Sequence, residues 1–378
     1  MAVAAAEEAQ ASCDAADAVK LEGLGAKNLK RPREDILRLS VTTLAGDSVA
    51  TLTLSASACV REAKQRVAEA INLPPLRQRL VLRGAILSTD DVLADIGVKD
   101  GDTLTLVKTS RMVLTASEDG LAKLWNIESG ECVQTLSGHS DGVHMATLSP
   151  DGLCALTASE DCTARLWKVE TGECMRIFVG HNAALCSASF SPDGLLVLTA
   201  SEDGTAHVWK RFGRGGNVRP WLSFHAPSDV ALWSASFSPD SALVSTACAD
   251  KVARVWKLAN SKCVHTCRGH GGAVLSAVFA PDGSGLLTAS SDRTARLWCG
   301  QNFTYQRSFT GHKSSVSWAM FSLDGALVLT SSVDRTARMW SCESGRCLRS
   351  FEAEDKFIWW ATFCVEDSSL VLTGSEDG

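Results

Sequence analysis

Three residue types that can carry out acyl-transfer chemistry recur together along this chain of 378 residues. His139 precedes Ser159 and Asp161, and His181 precedes Ser201 and Asp203. His270 likewise precedes Ser290 and Asp292, and His312 precedes Ser332 and Asp334. Serine, histidine and aspartate are the nucleophile, base and orienting group of a hydrolytic triad. A triad is a single constellation beside an oxyanion hole and a cleft, so four spaced copies argue against one. A tryptophan closes each copy, at Trp167, Trp209, Trp298 and Trp340. Such repetition fits satisfied polar networks that hold tight turns, each hydrogen bond adding roughly 0.5–1.5 kcal/mol.

Other chemistries fare no better. The sequence holds no phosphate loop, zinc-ligand spacing or nucleophile elbow. The glycines of "GLGAK" (23–27) follow no strand-forming run. The fourteen cysteines include no CxxC pair. Four of them, Cys132, Cys174, Cys263 and Cys347, hold one repeat position and so fall on separate structural units. They read as small reduced residues of the core. The expectation is a protein that is not an enzyme and needs no cofactor and no metal.

Composition limits the partners and the compartment. The regional net charge is about −2 over residues 1–35, about +1 over 36–109 and about −5 beyond. A mildly acidic chain has no overall electrostatic drive toward nucleic acid or anionic lipid. No apolar run approaches the roughly 18 residues of a membrane helix. "MAVAAAEEAQ" is a poor signal peptide, because Glu7 and Glu8 interrupt it. Cytoplasm or nucleus is the expected location. Residues 1–35 are Ala-rich, aperiodic and expected to be disordered. Their basic cluster "LKRPR" (29–33) is either a nuclear import signal or part of a solvated tail.

Elements that could position partners begin at residue 36. "ILRLSVTTLAGDSVATLTL" alternates apolar and polar residues around a turn, which signals a hairpin. "CVREAKQRVAEAI" (59–71) puts Val60, Ala63, Val67 and Ile71 on one helix face, and Pro74 follows. "RQRLVLRGAIL" (77–87) and "DTLTLVK" (102–108) supply two further strands. The ββαββ order, with "LPP" after the helix and then "RLVLRG", resembles ubiquitin over residues 36–109. The resemblance implies an apolar docking patch at Leu44, Val81 and Val107. These residues either dock a ubiquitin-receptor-type partner or pack on the neighbouring domain. The di-Gly tail needed for conjugation is absent, and Ala85 and Asp100 occupy the positions of the best-known chain-forming lysines. A built-in module, not a modifier, is implied.

From residue 110 to 378 the chain repeats itself. "LTASEDGLAKLW" (114–125) returns as "LTASEDCTARLW", "LTASEDGTAHVW", "STACADKVARVW", "LTASSDRTARLW" and "LTSSVDRTARMW". "GH" dipeptides and "FSPDG"-like turns separate the copies. This region resembles the WD-repeat β-propellers, with four strands per blade. The fold class is therefore mainly β: a propeller of six to seven blades behind a ubiquitin-like β-grasp domain. The resemblance implies that His, Ser or Thr, Asp and Trp form one hydrogen-bonded set in each intact blade. His225, Asp250 and Trp256 are a degraded set. The Asp that usually follows the Trp is missing throughout, which weakens any role in delivering substrates to cullin-RING ligases. Counted strands leave two endings open. Either the strand at 358–363 completes the blade begun at 111 and closes six blades, or a seven-bladed ring is cut at "VLTGSEDG".

The propeller resemblance also implies a binding face where the inner strands begin. Its turn positions are Glu118, Glu160, Glu202, Ala249, Ser291 and Val333. Its strand positions include His144, Cys186, Trp233, Leu275, Ser317, Phe357 and Trp359. Three glutamates with aromatics suit a peptide or protein surface carrying Lys or Arg beside an apolar anchor. Alternatively the aromatics pack between blades and the glutamates are solvated. "RFGRGG" (211–216) resembles an RNA-binding element, but a single copy carries little weight. The expected function is an adaptor or scaffold with protein partners on both domains, in ubiquitin–proteasome traffic. A Notchless-like ribosome assembly factor is the alternative.

Overall fold

The computed structural model describes residues 36–71, 73, 78–87, 91–108, 112–212, 219–227, 230–300, 302–353, 356–364 and 367–375. The tail with its basic cluster, Pro74, the glycines of the RGG-like stretch and residues 376–378 lie outside them.

Alternation builds the first sheet. β1 (Ile36–Thr43) buries Leu37, Leu39 and Val41, and β2 (Ser48–Ser55) buries Leu52 and Leu54. α1 (Val60–Ile71) buries Val60, Ala63 and Val67, which its 3.6-residue period brings to one side. β3 (Gln78–Leu82), β4 (Ala85–Ile86) and β5 (Thr103–Lys108) complete the order β2-β1-β5-β3-β4. β1 and β5 run parallel, and the helix packs its apolar face over their leucines. Each fully buried Leu or Val there contributes roughly 1.5–3 kcal/mol.

Every later sheet is antiparallel. An opening sheet has three strands, Met112–Ala116, Ala122–Asn126 and Cys132–Leu136. Five four-stranded sheets follow, blades 1 to 5, over residues 143–179, 185–225, 232–267, 274–310 and 316–352. Last comes a hairpin of Ile358–Cys364 with Asp367–Ser375. In each blade the strands lie side by side in chain order. Second strands are sandwiched between neighbouring blades, so all six residues of Cys154–Ser159 and of Gly285–Ser290 are buried. That explains why these segments read as continuous small-apolar runs without alternation.

Aromatic and serine contacts join one blade to the next. Phe178 of blade 1 packs on Trp209 of blade 2 with ring centroids 5.5 Å apart. Phe224 meets Trp256 at 5.5 Å, and Phe309 meets Trp340 at 5.9 Å, all in tilted geometry. The outer strand of a blade thus rests on the tryptophan of its successor. Serines tie the first strands: Ala235 N–H donates to Ser187 Oγ at 3.2 Å, and Ser236 Oγ donates to Ala277 O at 2.9 Å.

Ile358–Cys364 pairs with Asp367–Ser375 alone, and Met112–Ala116 pairs with Ala122–Asn126 alone. The strand at 358–364 therefore does not complete the sheet begun at 112. Among the described residues the six-blade closure by that strand is not formed.

Candidate functional site

The His-Asp-Trp sets form, with a different hydroxyl at their centre. In blade 1, His139 Nδ1 donates to Asp161 Oδ2 at 2.7 Å, and its Nε2 lies 2.7 Å from Thr157 Oγ1. Trp167 Nε1–H donates to the same Thr157 oxygen at 2.9 Å. Thr199, Thr288 and Thr330 take this place in the sets of His181, His270 and His312. The expectation that serine joins the bonded set is thus corrected. Trp167 stands opposite Ala155, so its indole reaches the diagonal Thr157. Ser159 instead accepts Asp161 N–H at 3.1 Å and donates to Asp141 O at 3.1 Å, clamping the turn. Ser201, Ser290 and Ser332 do the same.

The electrostatics match a structural role. Burial pushes the His139, His181, His270 and His312 rings below their ordinary pKa, against the pull of their aspartates. A neutral ring can donate from Nδ1 and accept the threonine proton at Nε2. Burial alone would raise Asp203, but bonds from Thr205 and the Asn182 N–H, with His181, hold it at about 2. In each set the threonine hydroxyl bridges ring and indole while the serine hydroxyl clamps the turn.

Blade 3 departs from this scheme. His225 is exposed on the fourth strand of blade 2 and does not reach Asp250. Arg254 holds Asp250 in its place, and Trp256 keeps its bond to Thr246 at 2.9 Å. The degraded set is a rebuilt one.

The strand positions expected on the binding face share one local device. The first strand of every blade, and of the last hairpin, carries a β-bulge near its start. The unpaired residue is His144, Cys186, Trp233, Leu275, Ser317 or Trp359. A bulge adds one residue against the partner strand and re-aims a side chain. The residue just before it is always buried: Val143, Leu185, Leu232, Val274, Val316 or Ile358. Each bulge residue is partly or fully exposed, Trp359 to 54%. The turn positions lie beside them, since Glu160 N–H donates to Gly142 O at 2.9 Å and Glu202 N–H to Ala184 O at 3.0 Å. Ala249, Ser291 and Val333 repeat that bond. Glu118, Glu160 and Glu202 are exposed.

Two of these residues also serve the frame. His144 contacts Glu160 Oε1 through Nε2 at 2.8 Å and Leu185 O through Nδ1 at 3.1 Å. Ser317 donates to Ile358 O at 3.0 Å. Both tie their blade to the next. Phe357 meets Trp359 edge-on at 6.3 Å and is 39% exposed. Burial, with Glu202 nearby, pushes the Cys186 thiol up to about 12, which disfavours its thiolate.

In the first domain Leu44 sits in the β1–β2 turn, 77% exposed, and Val81 and Val107 are half-buried. Ile86 was not anticipated. It pairs with Val81 across the sheet and is 64% exposed, which enlarges the patch.

A β-grasp domain followed by antiparallel four-stranded blades with this His-Asp-Thr-Trp bonding defines a ubiquitin-like domain joined to a WD-type β-propeller. The family model described as the IFT122 first beta-propeller matches residues 104–378, and that of the ubiquitin family matches residues 39–111. The chain belongs to the IFT122 first-propeller family and carries a ubiquitin-family domain before it. Both are protein-interaction modules, so a protein-interaction scaffold fits the whole chain.

Proposed function

We propose that this protein is a non-enzymatic adaptor. Its propeller face takes a peptide or protein surface with Lys or Arg beside an apolar anchor. Its ubiquitin-like patch docks a ubiquitin-receptor-type partner, in ubiquitin–proteasome traffic of the cytoplasm or nucleus. The observation that supports it most is the recurrent bulge, which presents one side chain per blade beside the aspartate turn. Exposed Trp359 and Phe357 can supply the anchor contact, and Glu118, Glu160 and Glu202 the countercharge.

Affinity capture with the full chain tests both halves. Trp359→Ala should release one set of partners and Val81→Ala another, with proteasome components or ubiquitin receptors in the second set. Unchanged capture by both variants removes the proposal. Recovery of pre-ribosomal particles through the Val81 surface replaces it with ribosome assembly.

A further inference from the structure

The residues that flank the turn aspartates change charge partway along the repeats. In the opening sheet and blades 1 and 2, the residue before the turn aspartate is Glu118, Glu160 or Glu202. The residue after it is Gly120, Cys162 or Gly204. In blades 3, 4 and 5 the residue before is uncharged, Ala249, Ser291 or Val333. The residue after is then Lys251, Arg293 or Arg335. No turn aspartate is flanked by both a glutamate before it and a cation after it, and all six of these flanking residues are exposed.

Both sets lie at the same end of the blades. The glutamate turns are tied by backbone bonds to the loops that lead into the first strands, as are the turns of blades 3 to 5. The residue after the aspartate is tied there too: Ala226 N–H donates to Gly204 O at 2.8 Å, and Ala353 N–H donates to Arg335 O at 3.0 Å. Aromatic residues at the starts of first strands flank the cationic turns. Trp233 opens blade 3, after the last glutamate turn and before Lys251. Phe357 and Trp359 open the hairpin that follows the Arg335 turn.

We propose that this face binds one extended polypeptide segment in three parts. A basic stretch lies over Glu118, Glu160 and Glu202, and an apolar residue sits against Trp233 or the Phe357–Trp359 pair. An acidic stretch lies over Lys251 and Arg293. This rests on the peptide-binding role proposed above and adds the second charge block. A segment of one sign would meet like charge on half of the rim, which costs affinity. Nucleic acid would meet the glutamates. A segment whose charge changes sign at an apolar residue meets opposite charge on both sides.

The backbone supplies a clean variant. Lys251, Arg293 and Arg335 sit at φ of 71°, 71° and 69°, a left-handed region that glycine occupies without strain. Gly120 and Gly204 hold the equivalent places at 80° and 79°. Replacing Lys251 and Arg293 by glycine removes charge while relieving their turns, so the fold is retained.

Fluorescence anisotropy with the full chain tests the proposal, using two labelled peptides. One carries a lysine block, a phenylalanine and a glutamate block, and the other has serines in place of the glutamates. The two-block peptide should bind roughly tenfold tighter, since each exposed ion pair adds a few-fold. In the Lys251→Gly/Arg293→Gly variant that advantage should vanish. Binding of the serine peptide should be unchanged, and the melting temperature no lower. Equal binding of both peptides by the unaltered chain overturns the two-signed partner but keeps the peptide face. No binding by either peptide removes both readings. A concentration-dependent dimer that the two-block peptide cannot dissociate assigns the charges to a second copy and also overturns the proposal.

Discussion

Arg254 grips Asp250 with both arms of its guanidinium, Nη1 to Oδ1 at 3.1 Å and Nη2 to Oδ2 at 2.5 Å. The corresponding position holds Arg165, His207, Arg296 and Arg338 in the other full blades. There the aspartate is already bonded to a histidine of the preceding loop. The arginine of blade 3 fills the gap left when that histidine is missing.

Arg254→Ala should therefore cost about 3 kcal/mol, because it strands a partly buried carboxylate. Arg165→Ala should cost less than about 1 kcal/mol. Urea midpoints of the two variants check this, and equal shifts would refute the substitution of arginine for histidine.

Thr199 is the junction of its network, taking the Trp209 N–H at 2.9 Å and facing His181 Nε2 at 2.8 Å. Thr199→Val keeps the shape and orphans both buried partners, a loss of roughly 2–4 kcal/mol. Ser201→Ala loosens only the turn and should cost about 1 kcal/mol. Thermal melting that ranks the serine above the threonine contradicts this geometry.

Acid should act on the rings before the carboxylates. Burial, and then His181, push His207 from 6.5 down to about 4, and the two rings stack at 4.2 Å. His181 is also lowered from 6.5. The unfolded chain thus takes up these protons first. Stability is complete above the ordinary value of 6.5 and falls as pH drops toward about 4. The carboxylate contribution of Asp203 and Asp292, both held at about 2, is lost only as pH falls below 3.8. His207→Asn should flatten melting temperature against pH between 6.5 and 4. An unaltered slope would discount the buried ring.

Leu44 is exposed enough that Leu44→Ser should change stability by no more than about 0.5 kcal/mol. If the ubiquitin-like patch docks a partner, the same variant should weaken capture of that partner. Stability loss without capture loss would assign Leu44 to internal packing.

Repeat periodicity made the blades legible, because the tryptophan, aspartate and glycine-histidine positions recur at fixed spacing. It could not choose between Thr157 and Ser159, which recur together on one side of the same strand. Pairing register decides that, and register is a property of the folded sheet. Arg254 was hidden for a different reason: His225 offered itself as a false partner. The signal was present, since His225 lies 25 residues before Asp250 and the true pairs are 22 apart. The bulge positions were anticipated as contact positions, but the bulge itself leaves no mark in residue type: His, Cys, Trp, Leu and Ser all occupy it. Ile86 escaped notice because a two-residue strand has too little pattern to assign a face.

Strand-to-strand pairing stops at every blade boundary, and among the described residues none links the last hairpin to the opening sheet. Cooperativity must then pass between neighbours through side chains such as Phe178, Ser187 and His144, as in a one-dimensional stack. Opening at one flank need not melt the middle. Amide exchange should accordingly be fastest in Met112–Ala116 and Asp367–Ser375 and slowest in the second strand of blade 3, Leu243–Cys248.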